Sequence, residues 1–393
     1  MGSIISRVKL ENNSSDNNYG AWPRILNIRA GNSSFSTPTN MVTSQILNAK
    51  ADLKLEVPIP GNIALYTNLA LNVDHLSKYL NSNEYVNTKI RDMRMHRRRV
   101  NNFPIRIMYI YPETPDFSIF KGHPDIQHQF LELLKNVSNG SEYEVLAIPF
   151  LSNDIREQLN LLQIAAHSVE YGDLKEIVPV LDVSLPPPKI TSLLEEILDK
   201  YHDTGLIKAI AIQNSFDVQY SASRAYIAQK LYDKELLTLV FRVEKTYKGF
   251  SGINAQSLRF GDSFANRVVN PPNNKNSDQN KYDPSFLDNT SLKFKKILTG
   301  ASNDRDYIKI RNELNQFLGE DFNNYAERIL QNYIENPIGR REIQNVGELS
   351  KVHYSISLEK EFARLKTRML NGSYSEYVED REEILKVSSL AKY

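Results

Sequence analysis

The sequence predicts an α/β protein: a (β/α)8 TIM-like barrel followed by a small α-helical C-terminal domain. Three observations predict it. Short, almost wholly apolar runs recur along the first two thirds of the chain, bounded by Pro, Asp, Asn or Gly. Between most of them lies a stretch with apolar residues at helical spacing. From Ile105 onward the runs begin 39, 33, 30 and 30 residues apart, and a strand with its crossover helix needs roughly 30 residues. Near-continuous apolar strands are what a parallel sheet covered by helices requires. A doubly wound open sheet is the competing architecture. The barrel is favoured because the strand count reaches about eight and no Gly-rich dinucleotide loop follows any strand.

Taken in order, residues 1–20 are polar and Asn/Ser-rich and are expected to be mobile. Trp22 to Ile28 reads as a strand, Gly31-Asn32-Ser33-Ser34 as a turn, and Phe35-Ser36-Thr37-Pro38-Thr39 as the return, which makes a hairpin that opens the fold. Candidate strands follow at 55–59, 63–66, 105–110, 144–149, 177–182, 207–212 and 237–243, with a last one around Phe260. Helical spacing marks 126–134, 155–169, 190–201 and 222–231. The barrel with its hairpin thus spans 21–270. Residues 271–290, opening with Pro271-Pro272-Asn273-Asn274, read as a linker. The helical domain, 291–393, carries patterns at 307–318, 322–335, 343–352 and 358–370.

Composition removes several function classes. The 393 residues include no cysteine, so disulfides, thiolate zinc sites, iron–sulfur clusters and a Cys nucleophile are excluded. The 48 basic and 47 acidic residues leave a net charge of +1, which excludes a polybasic protein and leaves room for a local basic patch. No apolar run is long enough to span a bilayer, and no signal-peptide core precedes the fold. The expected location is the cytoplasm. Met1-Gly2-Ser3-Ile4-Ile5-Ser6 fits the myristoylation pattern, for which chance is the better explanation.

In a β/α barrel, chemistry sits at the carboxyl ends of the strands. That rule turns the fold into candidates. Asp182 ends an apolar strand, where a carboxylate in a partly dry mouth acts as base, nucleophile or ligand; its plainer role is to cap the following turn. Asp262 follows Gly261 near the last strand. Glu244 shares a strand face with Arg242, and the two form either a site or an ion pair closing the mouth. Gln213 and Asn214 offer paired donors and acceptors to a polar ligand, and Tyr111 follows the strand at Ile105. The seven histidines show no metal-ligand spacing, and neither a Walker A motif nor G-x-G-x-x-G occurs. No cofactor and no metal are expected. Arg94, Arg97, Arg98 and Arg99 form a basic cluster whose guanidinium forks suit phosphate oxygens, making RNA or DNA the expected partner. The other reading is a non-catalytic scaffold, a homo-oligomer or protein-binding module acting through its C-terminal helices.

Several fragments resemble the tRNA-guanine transglycosylases. Ile28-Arg29-Ala30-Gly31 through Thr37-Pro38-Thr39-Asn40-Met41 is similar to their opening hairpin and Thr-Pro segment. Ile210-Ala211-Ile212-Gln213-Asn214-Ser215, with Arg224 downstream, is similar to their strand ending in a Gln-Gly-Gly loop. Phe260-Gly261-Asp262-Ser263-Phe264-Ala265 is similar to their late strand bearing the Asp nucleophile. The resemblance implies a (β/α) barrel acting on a base in nucleic acid, by glycosyl transfer of the base-exchange type, with Asp262 as nucleophile and Gln213 reading the base. The chain lacks the cysteines of that family's zinc site, and Asn214-Ser215 stands where the family has Gly-Gly.

Overall fold

The computed structural model describes residues 4–13, 23–53, 64–71, 78, 82–94, 103–112, 124–141, 143–151, 154–214, 221–242, 261–265, 284–296 and 304–381. Three antiparallel strands come first: β1 (Ile5–Asn13), β2 (Arg24–Ala30) and β3 (Ser33–Ser36), in that spatial order. The opening hairpin is β2–β3, joined by Gly31-Asn32, with Gly31 at φ 54°. In β1 the structure differs from the mobile segment expected there. Ile5 and Val8 are buried while Ser6, Arg7 and Lys9 face solvent, so the polar composition belongs to one face of a paired strand.

A curled parallel sheet forms the centre. Its strands are β4 (Thr39–Asn40), β5 (Val42–Thr43), β6 (Ala64–Leu71), β7 (Ile105–Pro112), β8 (Val145–Ile148), β9 (Glu176–Asp182), β10 (Ala209–Asn214), β11 (Leu237–Arg242) and β12 (Ser263–Ala265). Seven of them, β6 to β12, lie side by side in sequence order, with β5 beside β6 and β4 beside β12. The candidate strand at 55–59 lies outside the described residues.

Both sheet faces are buried, which explains the apolar runs. Ile107, Val178, Ala211 and Leu239 point to an inner core that also receives Ile5, Leu26 and Ile28 of the antiparallel sheet. The alternate residues, among them Met108, Ile110, Leu146 and Ile212, meet the helices outside.

Those helices follow the strands: α1 (Ser44–Asp52), α2 (Asn83–Arg94), α3 (Pro124–Ser141), α4 (Ile155–Glu170), α5 (Pro187–Ile197) and α6 (Ser221–Leu231). Asp154 caps α4, its side chain accepting from Arg156 N at 2.8 Å. In α5, Pro187 and Pro188 occupy the first turn, where a missing N–H costs nothing, and Ile190, Leu193, Leu194 and Ile197 form its buried stripe.

After β12, the strands β13 (Ser285–Leu287) and β14 (Phe294–Lys296) form a hairpin within and beyond the stretch expected as linker. It is anchored by buried Phe286, Leu287 and Asp288. Two long helices, α7 (Asp304–Glu335) and α8 (Arg340–Leu370), and the short α9 (Tyr374–Glu379) complete the chain. Each long helix spans two of the four patterns expected from sequence. The first half of α8 packs Val346, Leu349 and Val352 into a core with α1 and α7. Its second half packs Leu358, Phe362 and Leu365 into the outer core of the sheet, where Phe362 stacks on Phe264 at 5.0 Å. No described helix is long and apolar enough to cross a membrane.

Candidate functional site

The carboxyl ends of β7, β9, β10 and β11 meet in one polar and aromatic group. Strand register puts Asp182 beside Gln213, and Gln213 beside Phe241. Residues level with one another in a parallel sheet share a face, and this row continues the inner face of Val180, Ala211 and Leu239. Tyr109 lies beneath the row, fully buried. Its hydroxyl donates to Gln213 Oε1 at 2.7 Å. Its ring stacks on Tyr111 at 4.9 Å and tilts against Phe241 at 5.0 Å.

Electrostatics follow from that packing. Burial raises the Tyr109 hydroxyl well above the ordinary phenol range, and the neighbouring Asp182 charge and Tyr111 raise it further. Tyr109 therefore remains a neutral donor and fixes the Gln213 amide with its oxygen inward. Among the described residues the amide nitrogen of Gln213 has no bonded partner. Asp182 is half-buried, and its Oδ1 accepts from Ser184 N at 2.8 Å, the turn contact weighed for it in the sequence. That bond leaves Oδ2 available at the rim. The arrangement sets an amide donor beside a carboxylate acceptor, above an aromatic floor.

Tyr111, Asp182 and Gln213 are thus brought together. Asn214 and Arg242 pair one row further along. Glu244, Arg97, Arg98 and Arg99 lie outside the described residues, and Arg94 closes α2. Tyr109 and Phe241 escape sequence reading because an aromatic inside an apolar strand looks like core. The available signal is that Tyr109 and Tyr111 alternate onto one strand face.

Asp262 is elsewhere. Its N–H donates to Thr238 O at 2.9 Å, and its Oδ2 accepts from Thr238 N at 2.6 Å. Thr238 lies near the start of β11, three residues before Phe241, so about 10 Å of strand separates Asp262 from the Asp182 row. Arg24 of β2 holds the same carboxylate, donating from Nε at 3.0 Å and from NH2 at 2.6 Å. The guanidinium also bonds the carbonyls of Leu231, Lys234 and Leu236. Asp262 is 0% exposed and Arg24 4%, so both carboxylate oxygens are occupied in a dry pair. The structure does not bring Asp182 and Asp262 to one pocket, which base and nucleophile roles for the two would require.

Among the described residues no group of three or more His, Asp or Glu side chains is placed to hold a metal ion. A scan against protein-family models gives no match, and a search of curated proteins gives none.

Proposed function

We propose that the chain is a closed (β/α)8 barrel that binds a planar nitrogen heterocycle, a nucleobase free or within nucleic acid, at the carboxyl edge of its strands. Closure is supported by the sheet's two margins: β4 and β5 belong to one segment, separated only by Met41, and pair in parallel with β12 and β6 respectively. The observation that carries the binding reading is the Tyr109–Gln213 hydrogen bond beside Asp182. It presents a donor next to an acceptor, which matches a base edge carrying an acceptor next to a donor. Aromatic faces below such an edge suit a flat ring. In this reading Arg94, Arg97, Arg98 and Arg99 contact phosphates. The resemblance to tRNA-guanine transglycosylases supports the same ligand class. The buried pair with Arg24 supports a structural role for Asp262, so the proposal is recognition of a base without base exchange through that residue.

The test is equilibrium binding of guanine, adenine, labelled tRNA and short single-stranded DNA to the full chain, across a salt series. Binding should weaken roughly 10- to 100-fold in Asp182→Asn, the range of a charge-assisted hydrogen bond, and also in Gln213→Ala, with unchanged thermal midpoints. Nucleic-acid affinity should fall steeply with salt. No binding at low salt, or equal binding by wild type and both variants, overturns the proposal.

A further inference from the structure

The last turns of α8 and the short α9 enclose a cleft of about 500 Å³, remote from the row around Asp182. Asn12 Nδ2 donates to Met369 O and Lys366 Nζ to Ser36 O, both at 3.4 Å. These bonds place the cleft beside the antiparallel sheet, whose Arg24 meets the starting ends of the parallel strands.

Three guanidinium groups line the cleft, Arg364, Arg368 and Arg381, with Thr367, Tyr377 and Asp380. One lining carboxylate against three cations leaves a surplus of two positive charges. Behind the wall stands Glu361, 1% exposed. It accepts from Arg381 Nε at 2.7 Å and NH2 at 3.3 Å, from Arg364 NH1 at 3.1 Å and from the Tyr377 hydroxyl at 2.8 Å. One buried carboxylate thus orients two guanidinium groups while neutralising only one charge. Arg368 bonds Glu376 at 3.0 Å and Asp380 at 3.4 Å, two carboxylates that are 67% and 61% exposed and exert weak, screened attraction. A guanidinium has five N–H donors; Arg364 uses one in these bonds, Arg368 two and Arg381 two.

We propose that this cleft binds a phosphate dianion, either inorganic phosphate or the phosphate of a small monoester. Donor forks from three directions match a tetrahedral oxyanion better than a planar carboxylate, and the surplus of two charges matches a dianion. A purely structural role, tying α9 to α8, accounts for Arg381 and Arg368. It does not account for Arg364, whose partner Glu361 lies on its own helix.

The experiment is calorimetric titration of the full-length chain at low ionic strength with inorganic phosphate and, separately, with phenyl phosphate. Saturable one-to-one binding of at least one probe is expected. Arg364→Gln should weaken it at least tenfold with the thermal midpoint unchanged, because that side chain makes no bond to α9. Arg364→Lys should retain part of the affinity, and Asp182→Asn should retain all of it, which separates this site from the strand-edge one. Binding of phosphate alone identifies the free ion as ligand; binding of both probes identifies a monoester site. No saturable heat up to about 10 mM of either probe, or equal affinity in wild type, Arg364→Gln and Arg368→Gln, overturns the proposal.

Discussion

His353 stands in the middle of α8, 2% exposed, with its ring edge against Phe286 at 5.4 Å. Ser357 Oγ lies 3.4 Å from Nε2, and Nδ1 has no hydrogen-bond partner among the described residues. Burial, with a further contribution from the Lys360 charge, lowers its pKa from 6.5 to about 4. The folded state therefore holds the imidazole neutral, while the unfolded chain protonates it near its ordinary value. The unfolded state binds more protons between those two values, so stability falls as pH falls through that window and levels off below it. The shift corresponds to about 3 kcal/mol in full, and to about 2 kcal/mol by pH 5.

The assay is urea unfolding of wild type and His353→Gln at steps from about pH 7.5 to about pH 4. Glutamine does not titrate and can still bond Ser357, so the difference between the two curves isolates the imidazole. Other groups cancel in that difference, including Glu359, whose burial raises its pKa and works in the opposite sense. The wild-type protein should lose about 2 kcal/mol more than the variant by pH 5. Parallel curves across the window would refute the reasoning, as would an NMR titration of the His353 ring with a midpoint near 6.5.

Two further predictions concern the starting end of the sheet. Gly261 sits at φ 93°, and an added Cβ would lie 2.6 Å from Val240 Cγ2; Gly261→Ala should cost ~2–4 kcal/mol from backbone strain and overpacking together, read by urea midpoint. Asp262→Asn should cost ~3–5 kcal/mol because it leaves the buried Arg24 charge uncompensated; the fraction that remains folded should bind ligand at the strand edge as wild type does, and loss of binding without loss of stability would contradict a structural role.

Some of this molecule can be read from its sequence, for definable reasons. Strands β7 to β11 are apolar runs because both of their faces are covered, and each expected range lies within two residues of the observed one. Strands β4 and β5 leave no such trace: in Thr39-Asn40-Met41-Val42-Thr43 the pairing is divided between two neighbours, and polar side chains bond outside the segment. The segmentation of α8 fails for a related reason. His353, Ser355 and Ser357 are all buried, so the apolar pattern breaks where the helix is most enclosed. At the strand edge, Asp182 and Gln213 are legible from their places after apolar runs. The Tyr109 contact depends on register across several strands, and the Arg24–Asp262 pair spans 238 residues, a separation that no local pattern encodes.

Helix α8 explains why the last hundred residues and the sheet hold together. The short strand β4 leaves polar groups facing the helix layer, and α8 meets them with polar groups of its own. Thr39 Oγ1 donates to Glu359 at 3.0 Å, Asn40 N donates to Glu359 Oε2 at 2.7 Å, and Asn40 Nδ2 donates to Ser355 Oγ at 3.0 Å. Burial raises the pKa of Glu359 even though the Asn40 N–H, Lys366 and Thr39 all act to lower it, so enclosing this carboxylate is costly and the bonds only partly offset the cost. An apolar residue there would avoid the penalty but would strand the Asn40 N–H without a partner, a loss of comparable size. Polar residues at the centre of α8 therefore follow from the brevity of β4. They also bind residues some 320 positions apart in the chain, so that opening the sheet at β4 requires α8 to leave, and with it the apolar stack of Phe362 on Phe264.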